Sequence, residues 1–225
     1  MINVFTPKLW KEYSLIDCGD FEKLEQFGKY ILRRPEPQAV WSKSLSEQEW
    51  QKKADVVFKA SNTHKGEWIT KPGFKEPWHI SYYLPHVELK FKLALTSFKH
   101  VGIFPEQAEN WEYIFKTITN YKADVRLPKV LNLFAYTGGS SLAARAAGAD
   151  VTHVDSVKQV INWANDNQNL SGLKDVRWVI EDAMKFAERE AKRGNLYNGI
   201  ILDPVSYTHL RAHETKANLV CRLLL

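Results

Sequence analysis

The sequence predicts an α/β fold: an open parallel sheet with covering helices, preceded by a small, mainly β domain. Three observations predict it. Residues 130–155, VLNLFAYTGGSSLAARAAGADVTHVD, read as strand, glycine turn, helix, strand and acid. Two more segments read as strands, Val176–Ile180 and Gly199–Leu202, each separated from the last by enough chain for a helix. Residues 1–122 instead break into short segments at Pro and Gly, several alternating apolar with polar. Continuous apolar runs suit parallel strands buried on both faces, and alternation suits strands with one wet face.

In chain order, residues 21–30 suggest a short helix or an irregular turn. Residues 46–60 carry Trp50, Ala54, Val57 and Phe58 at helical spacing, with Ser46 as cap and Glu49 three residues on. Residues 78–84 and 87–95 alternate as strands. Residues 106–119 read as a helix through Trp111, Ile114, Phe115 and Ile118, and 120–129 as a linker. Strand 130–135, helix 140–147, strand 151–154, a helix from near Ser156, strand 176–180, helix 183–193 and strand 199–202 follow. The expected organisation is therefore 1–122, 123–204 and a tail, 205–225. Six of the eight Trp lie in the first part. Most are expected to fill a small core, though an aromatic β surface can also stack unpaired RNA bases.

Composition narrows the class. No run of 18 apolar residues occurs, so no transmembrane helix is expected. The N-terminus lacks a basic segment followed by an apolar one, so it does not read as a signal peptide. Two cysteines imply no disulfide framework, and a cytoplasmic location is the expectation. The formal charge of +5 is dispersed: 18 Lys and Arg against 15 Asp and Glu in 1–122, 10 of each in 123–204, and 3 against 1 in the tail. That is a mild bias without a basic stripe. His79, His86 and His100 have no ligand spacing, and no metal is expected.

A glycine turn followed by an acid at the end of the next strand suits a nucleoside cofactor, because a carboxylate accepts from both ribose hydroxyls. A dinucleotide turn reads G-x-G-x-x-G; here it is Tyr136-Thr137-Gly138-Gly139-Ser140-Ser141, and the third glycine is missing. The pattern resembles motif I of the class I S-adenosylmethionine-dependent methyltransferases, whose sheet is Rossmann-like. The resemblance implies S-adenosyl-L-methionine as cofactor. It sets Phe134, Ala135, Tyr136, Thr137, Gly138 and Gly139 by the methionine moiety and Asp155, with Ser156, by the ribose. Glu181, Asp182 and Ala183 fall where the family meets adenine. Asp203-Pro204 is similar to the family's D-P-P-x-[FY] motif at the catalytic rim, so the resemblance implies that both line the cofactor site and that Asp203 is catalytic, orienting a base amino group or assisting deprotonation. Read as single residues, Asp155 and the Glu181-Asp182 pair could equally be helix caps.

Segments such as FGKYILRRPEPQAVW and LTSFKHVGIFPEQAENW resemble a bacterial subfamily related to the ribosomal RNA methyltransferases that modify cytosine C5. The likeness spans about residues 1–204 and implies an RNA substrate, ribosomal RNA. Gly102-Ile103-Phe104-Pro105-Glu106-Gln107 stands where relatives carry G-x-F-x-D-Q-R, and Ala108 replaces the arginine. Phe104 and Gln107 could line the cofactor pocket, or the segment could be a helix entry around Pro105. The departure leaves open a protein or small-molecule methyltransferase, and a non-catalytic nucleotide-binding module is the alternative from another class. A C5 mechanism needs a cysteine thiolate; Cys18 reads as a small buried hydrophobe. The tail, VSYTHLRAHETKANLVCRLLL, resembles translated adapter or vector sequence. His209, His213, Glu214 and Cys221 within it are taken as accidental. The chain is therefore expected to be truncated after its fourth sheet strand, inactive and poorly soluble. Oligomeric state is not legible.

Overall fold

Residues 13–35 form three antiparallel strands, β1 (Tyr13–Gly19), β2 (Glu22–Phe27) and β3 (Tyr30–Pro35). The computed structural model describes residues 10–61, 66–97, 99–121 and 127–204. Residues 21–30, expected as a helix or irregular turn, are thus β2 and its flanking turns. Leu24 and Phe27 are fully buried, and the strand pairs on both sides, so ladder bonds outweigh any helical preference of the charged EKLEQ run.

Helix α1 (Glu47–Lys53) begins in a capping box: Ser46 Oγ accepts from the Glu49 N–H, and the Glu49 carboxylate accepts from the Ser46 N–H. It carries fully buried Trp50 against Leu24 and Ala54. The Trp50 indole N–H donates to Asp17 at 2.8 Å, and the backbone N–H groups of Cys18, Ser44 and Leu45 donate to the same carboxylate. The helix is shorter than the 46–60 pattern. After Ala54 the chain extends into β4 (Val56–Ala60), which runs parallel to β3. β5 (Gly66–Thr70) completes a five-stranded sheet, and β6 (Trp78–Leu84) and β7 (Val87–Leu93) form a separate hairpin. Arg34 and Glu25 make a buried ion pair at 2.7 Å. Lys23, Arg33 and Lys43 of the same unit are also paired with glutamates.

The described chain divides into two compact units between Pro105 and Glu106. The boundary expected at residue 122 therefore moves. Helix α2 (Ala108–Thr119) belongs to the second unit because it packs on α3 (Gly139–Ala146). That unit continues as β8 (Lys129–Leu133), then α3, β9 (Asp150–Asp155), α4 (Lys158–Leu170), β10 (Val176–Ile180), α5 (Ala183–Lys192) and β11 (Gly199–Leu202). The four strands are parallel in the order β10-β9-β8-β11. The inner pair, β8 and β9, is buried almost throughout, as its apolar run predicts. Leu131, Leu133 and Val154 meet Ala183 and Phe186 of α5 in one core. The middle of the expected linker and the whole 205–225 tail, with His209, His213, Glu214 and Cys221, lie outside the described residues.

Candidate active site at the carboxyl ends of the parallel strands

Strands β8, β9 and β10 step outward in one direction, and β11 returns to the other side of β8. Open α/β sheets bind ligands beyond the carboxyl ends of the strands at such a reversal. The turn at residues 134–139 leaves β8 there, and Asp203 leaves β11 beside it.

The turn has an unusual backbone. Phe134 (φ 55°) and Tyr136 (φ 50°) are left-handed although neither is glycine, and Gly138 (φ 94°) follows. Such residues persist only where their surroundings hold them. The Ala135 N–H donates to the Val154 carbonyl at 3.1 Å, and Asn167 donates to the Thr137 carbonyl at 2.9 Å. The third tie is Asp155, whose Oδ2 accepts from the Tyr136 N–H at 3.1 Å while Oδ1 accepts from the Val157 N–H at 3.0 Å. Each carboxylate oxygen keeps a second lone pair for another donor. The N-cap of α4 is Val157, so Asp155 braces the turn and does not cap that helix. Ser156 is exposed next to it.

The two glycines serve packing. A Cβ on Gly138 would lie 3.2 Å from the Ala164 Cβ, and one on Gly139 would lie 2.5 Å from Cζ2 of Trp111. Their smallness lets α4 and α2 close on the turn. Beneath them, Asn132 donates to Ser141 Oγ at 2.8 Å, and Ser141 Oγ meets His153 Nδ1 at 2.9 Å. His153 is fully buried and edge-on to Trp178, and its burial pushes the imidazole down to about 3. This polar set escaped the sequence reading. Its signal is a histidine inside the apolar run VTHVD.

At the end of β10, the Glu181 N–H donates to the Asp155 carbonyl at 3.1 Å. The Glu181 side chain is held by both terminal nitrogens of Arg189, at 2.7 and 2.5 Å. Asp182 is the N-cap of α5, accepting from the Lys185 N–H at 3.0 Å. The capping alternative therefore applies to Asp182. The Ala183 side chain is buried in the core, which leaves only its backbone to face a ligand.

At the end of β11, Gln107 donates through Nε2 to Asp203 Oδ2 at 2.9 Å, and Asn110 donates to Gln107 Oε1 at 2.7 Å. The second bond fixes which end of the Gln107 amide faces the acid. Burial raises the Asp203 carboxyl above its ordinary value, and the nearby charge of Glu106 adds to the effect. A carboxylate with raised proton affinity and one oxygen uncommitted can accept a hydrogen bond or a proton from an N–H or O–H. Pro204 follows, half-buried. Gln107 was singled out in the sequence; Asn110 was not, and its only signal is the i, i+3 spacing on a helix entry. Phe104 falls in the other unit, edge-on to His100 at 5.1 Å, and Cys18 lies there too, on β1.

A family model described as S-adenosylmethionine-dependent methyltransferase matches residues 55–217. The ribosomal RNA large subunit methyltransferase K/L of Shewanella baltica is 34% identical over 128 residues, which is 56% of this chain and 17% of that protein. The solved SAM-dependent methyltransferase from Agrobacterium tumefaciens is 45% identical with a TM-score of 0.78, over 86% of this chain and 60% of that one. A methyltransferase solved in complex with SAH shares the fold, with a TM-score of 0.63 at 18% identity over 88% of this chain and 52% of that one.

Proposed function

The chain belongs to the S-adenosylmethionine-dependent methyltransferases, and we propose that it carries, over the ends of β8, β9 and β10, the methyl-donor site of an enzyme that methylates ribosomal RNA. The observation that carries the donor site is Asp155, a carboxylate at the end of β9 that braces the glycine turn with one lone pair on each oxygen. The spare lone pairs suit two vicinal ribose hydroxyls. The backbone of 134–139 lines the methionine side, and Ser156 borders the ribose. Glu181, Asp182 and the backbone of Ala183 border the adenine. Asp203 and Pro204 form the rim. The RNA reading is supported by the names of the curated relatives, of which this chain spans about a fifth or less. A cytoplasmic location goes with that substrate; no helix among the described residues is long and apolar enough to cross a membrane.

S-adenosylmethionine carries a methyl group already activated on a sulfonium, so the protein's task is placement and acceptor activation. Gln107 holds Asp203 through Oδ2, leaving Oδ1 to face the acceptor. There Asp203 orients an N–H or takes a proton as the acceptor becomes nucleophilic.

Calorimetric titration of S-adenosylhomocysteine into the wild type and Asp155→Ala tests the donor site. The variant is expected to bind at least about 30-fold more weakly, the equivalent of two charge-assisted hydrogen bonds at about 1 kcal/mol each. Equal affinity in the two proteins would remove Asp155 from the site. Labelled methyl transfer to purified ribosomal RNA, against protein and small-molecule acceptors, tests the substrate.

A further inference from the structure

Outside the methyltransferase unit, a groove of about 680 Å³ opens on the N-terminal unit. Its walls carry Lys11, Lys29, Lys75 and His79 around the edge of buried Trp78, with Glu12 as the one acid. The three lysines come from separate segments: the turn before β1, the β2–β3 hairpin, and the loop before β6. Backbone and side-chain bonds tie the segments together. The Gly28 N–H donates to the Glu12 carbonyl at 2.7 Å, the Lys75 N–H to the Tyr30 hydroxyl at 2.9 Å, and Trp78 Nε1 to the Phe27 carbonyl at 3.1 Å. Gly28 (φ 61°) lets the hairpin lie so close to β6 that a Cβ would sit 3.1 Å from Ile80 Cγ2. The spacing of the charges is therefore built into the fold.

Lys23, Arg33, Arg34 and Lys43 of the same unit all meet carboxylates. Among the described residues, Lys11, Lys29 and Lys75 meet none; Lys29 lies only over the Tyr30 ring, at 4.9 Å. Other exposed lysines of the unit, such as Lys52, Lys53 and Lys59, are also outside the ion pairs, but Lys11, Lys29 and Lys75 line one groove. Glu12, whose Oε2 accepts from the Ser81 N–H at 2.6 Å, offsets one of the three charges and leaves the groove with a positive excess. Three exposed, flexible ammonium groups converging on one groove form an attractive field for anions. Lysine acts on phosphate as a point charge and demands no bidentate geometry, which suits an irregular backbone better than a single rigid ligand.

We propose that this groove binds the phosphodiester backbone of the RNA substrate, with Lys11, Lys29 and Lys75 each neutralising a phosphate. The proposal rests on the reading that the substrate is RNA. Such contacts position an RNA without reading its sequence.

Fluorescence anisotropy with a fluorescein-labelled RNA hairpin tests it, between about 50 and 200 mM salt, where phosphate contacts dominate the response. The variants are Lys11→Gln/Lys29→Gln/Lys75→Gln and, as control, Lys52→Gln/Lys53→Gln/Lys59→Gln on the same unit. The groove variant is expected to bind about ten-fold or more weakly, and its salt slope to flatten by about 2, near 0.7 per lost contact to a single strand. The control is expected to match the wild type, and all three proteins to bind S-adenosylhomocysteine alike. RNA binding by the groove variant with unchanged affinity and slope overturns the proposal and leaves the RNA reading standing. A wild type that takes S-adenosylhomocysteine but no RNA overturns both. Groove-dependent binding to phosphatidylserine vesicles, with none to RNA, assigns the groove to a membrane surface and overturns it as well.

Discussion

Asp203, at the end of β11, is a carboxyl group whose ionised form the fold disfavours. Burial, then the charge of Glu106, raise its carboxyl above the ordinary 3.8. A folded state that holds a proton more tightly than the unfolded chain loses stability as pH rises from 3.8 through the folded value. At neutral pH the full penalty is in place. Asp203→Asn removes the charge and keeps an acceptor for Gln107. It is expected to raise the melting temperature at pH 7 by about 2 °C, as a sub-kilocalorie gain does in a chain of this length. The gain should fade in scans taken at or below the ordinary aspartate value. A variant melting lower than the wild type at neutral pH would show that the ionised carboxylate stabilises the fold.

Glycine at 139 is an element-scale matter, because it sets how closely α2 approaches α3. Gly139→Ala drives a methyl to 2.5 Å from the Trp111 ring, an overpacking expected to cost about 1–3 kcal/mol in urea denaturation. In a Trp111→Leu background the loss should shrink; an undiminished loss would place the strain elsewhere. Nothing in the sequence near 139 announces this contact, since the partner lies 28 residues upstream and spacing carries no signal across that gap. The parallel strands were legible for the opposite reason: each is a local, mostly apolar run, even where Asn132, His153 or Arg177 interrupts it. The beginning of α1 was legible in Ser46 and Glu49, but its end was not. Val57 and Phe58 continue the helical spacing, and only pairing with β3 stops the helix, where the Asp55 N–H donates to the Ile31 carbonyl and its carboxylate accepts from the Ile31 N–H. β2 was hidden by its charges, which a ladder on both sides tolerates. In the site, the strand-end positions of Asp155 and Asp203 could be read from order along the chain. The Asn110–Gln107 and Ser141–His153 contacts could not, because each joins residues whose types are common and whose meeting depends on the packed unit.

At the scale of the whole molecule, each of the two units has its own core. Every residue of the proposed donor site lies in the second unit. Calorimetric scans are expected to resolve two transitions, with S-adenosylhomocysteine at about a hundred times its dissociation constant stabilising one of them by about 2.7 kcal/mol. Both transitions moving together would show that the units unfold as one. Within the second unit, one residue joins stability to recognition. Phe134 holds a left-handed backbone at the mouth of the proposed site while its side chain packs against the core cluster that contains Leu133 and Phe186. A glycine would take that backbone angle with less strain, yet it would leave the ring's place in the core empty. The turn is consequently moulded from behind, by hydrocarbon, as much as from in front by Asp155. Binding then has little safety margin of its own: a trimmed core side chain such as Phe186→Leu should blur the mouth of the site while the sheet still stands, and the protein should go deaf to its cofactor before it melts.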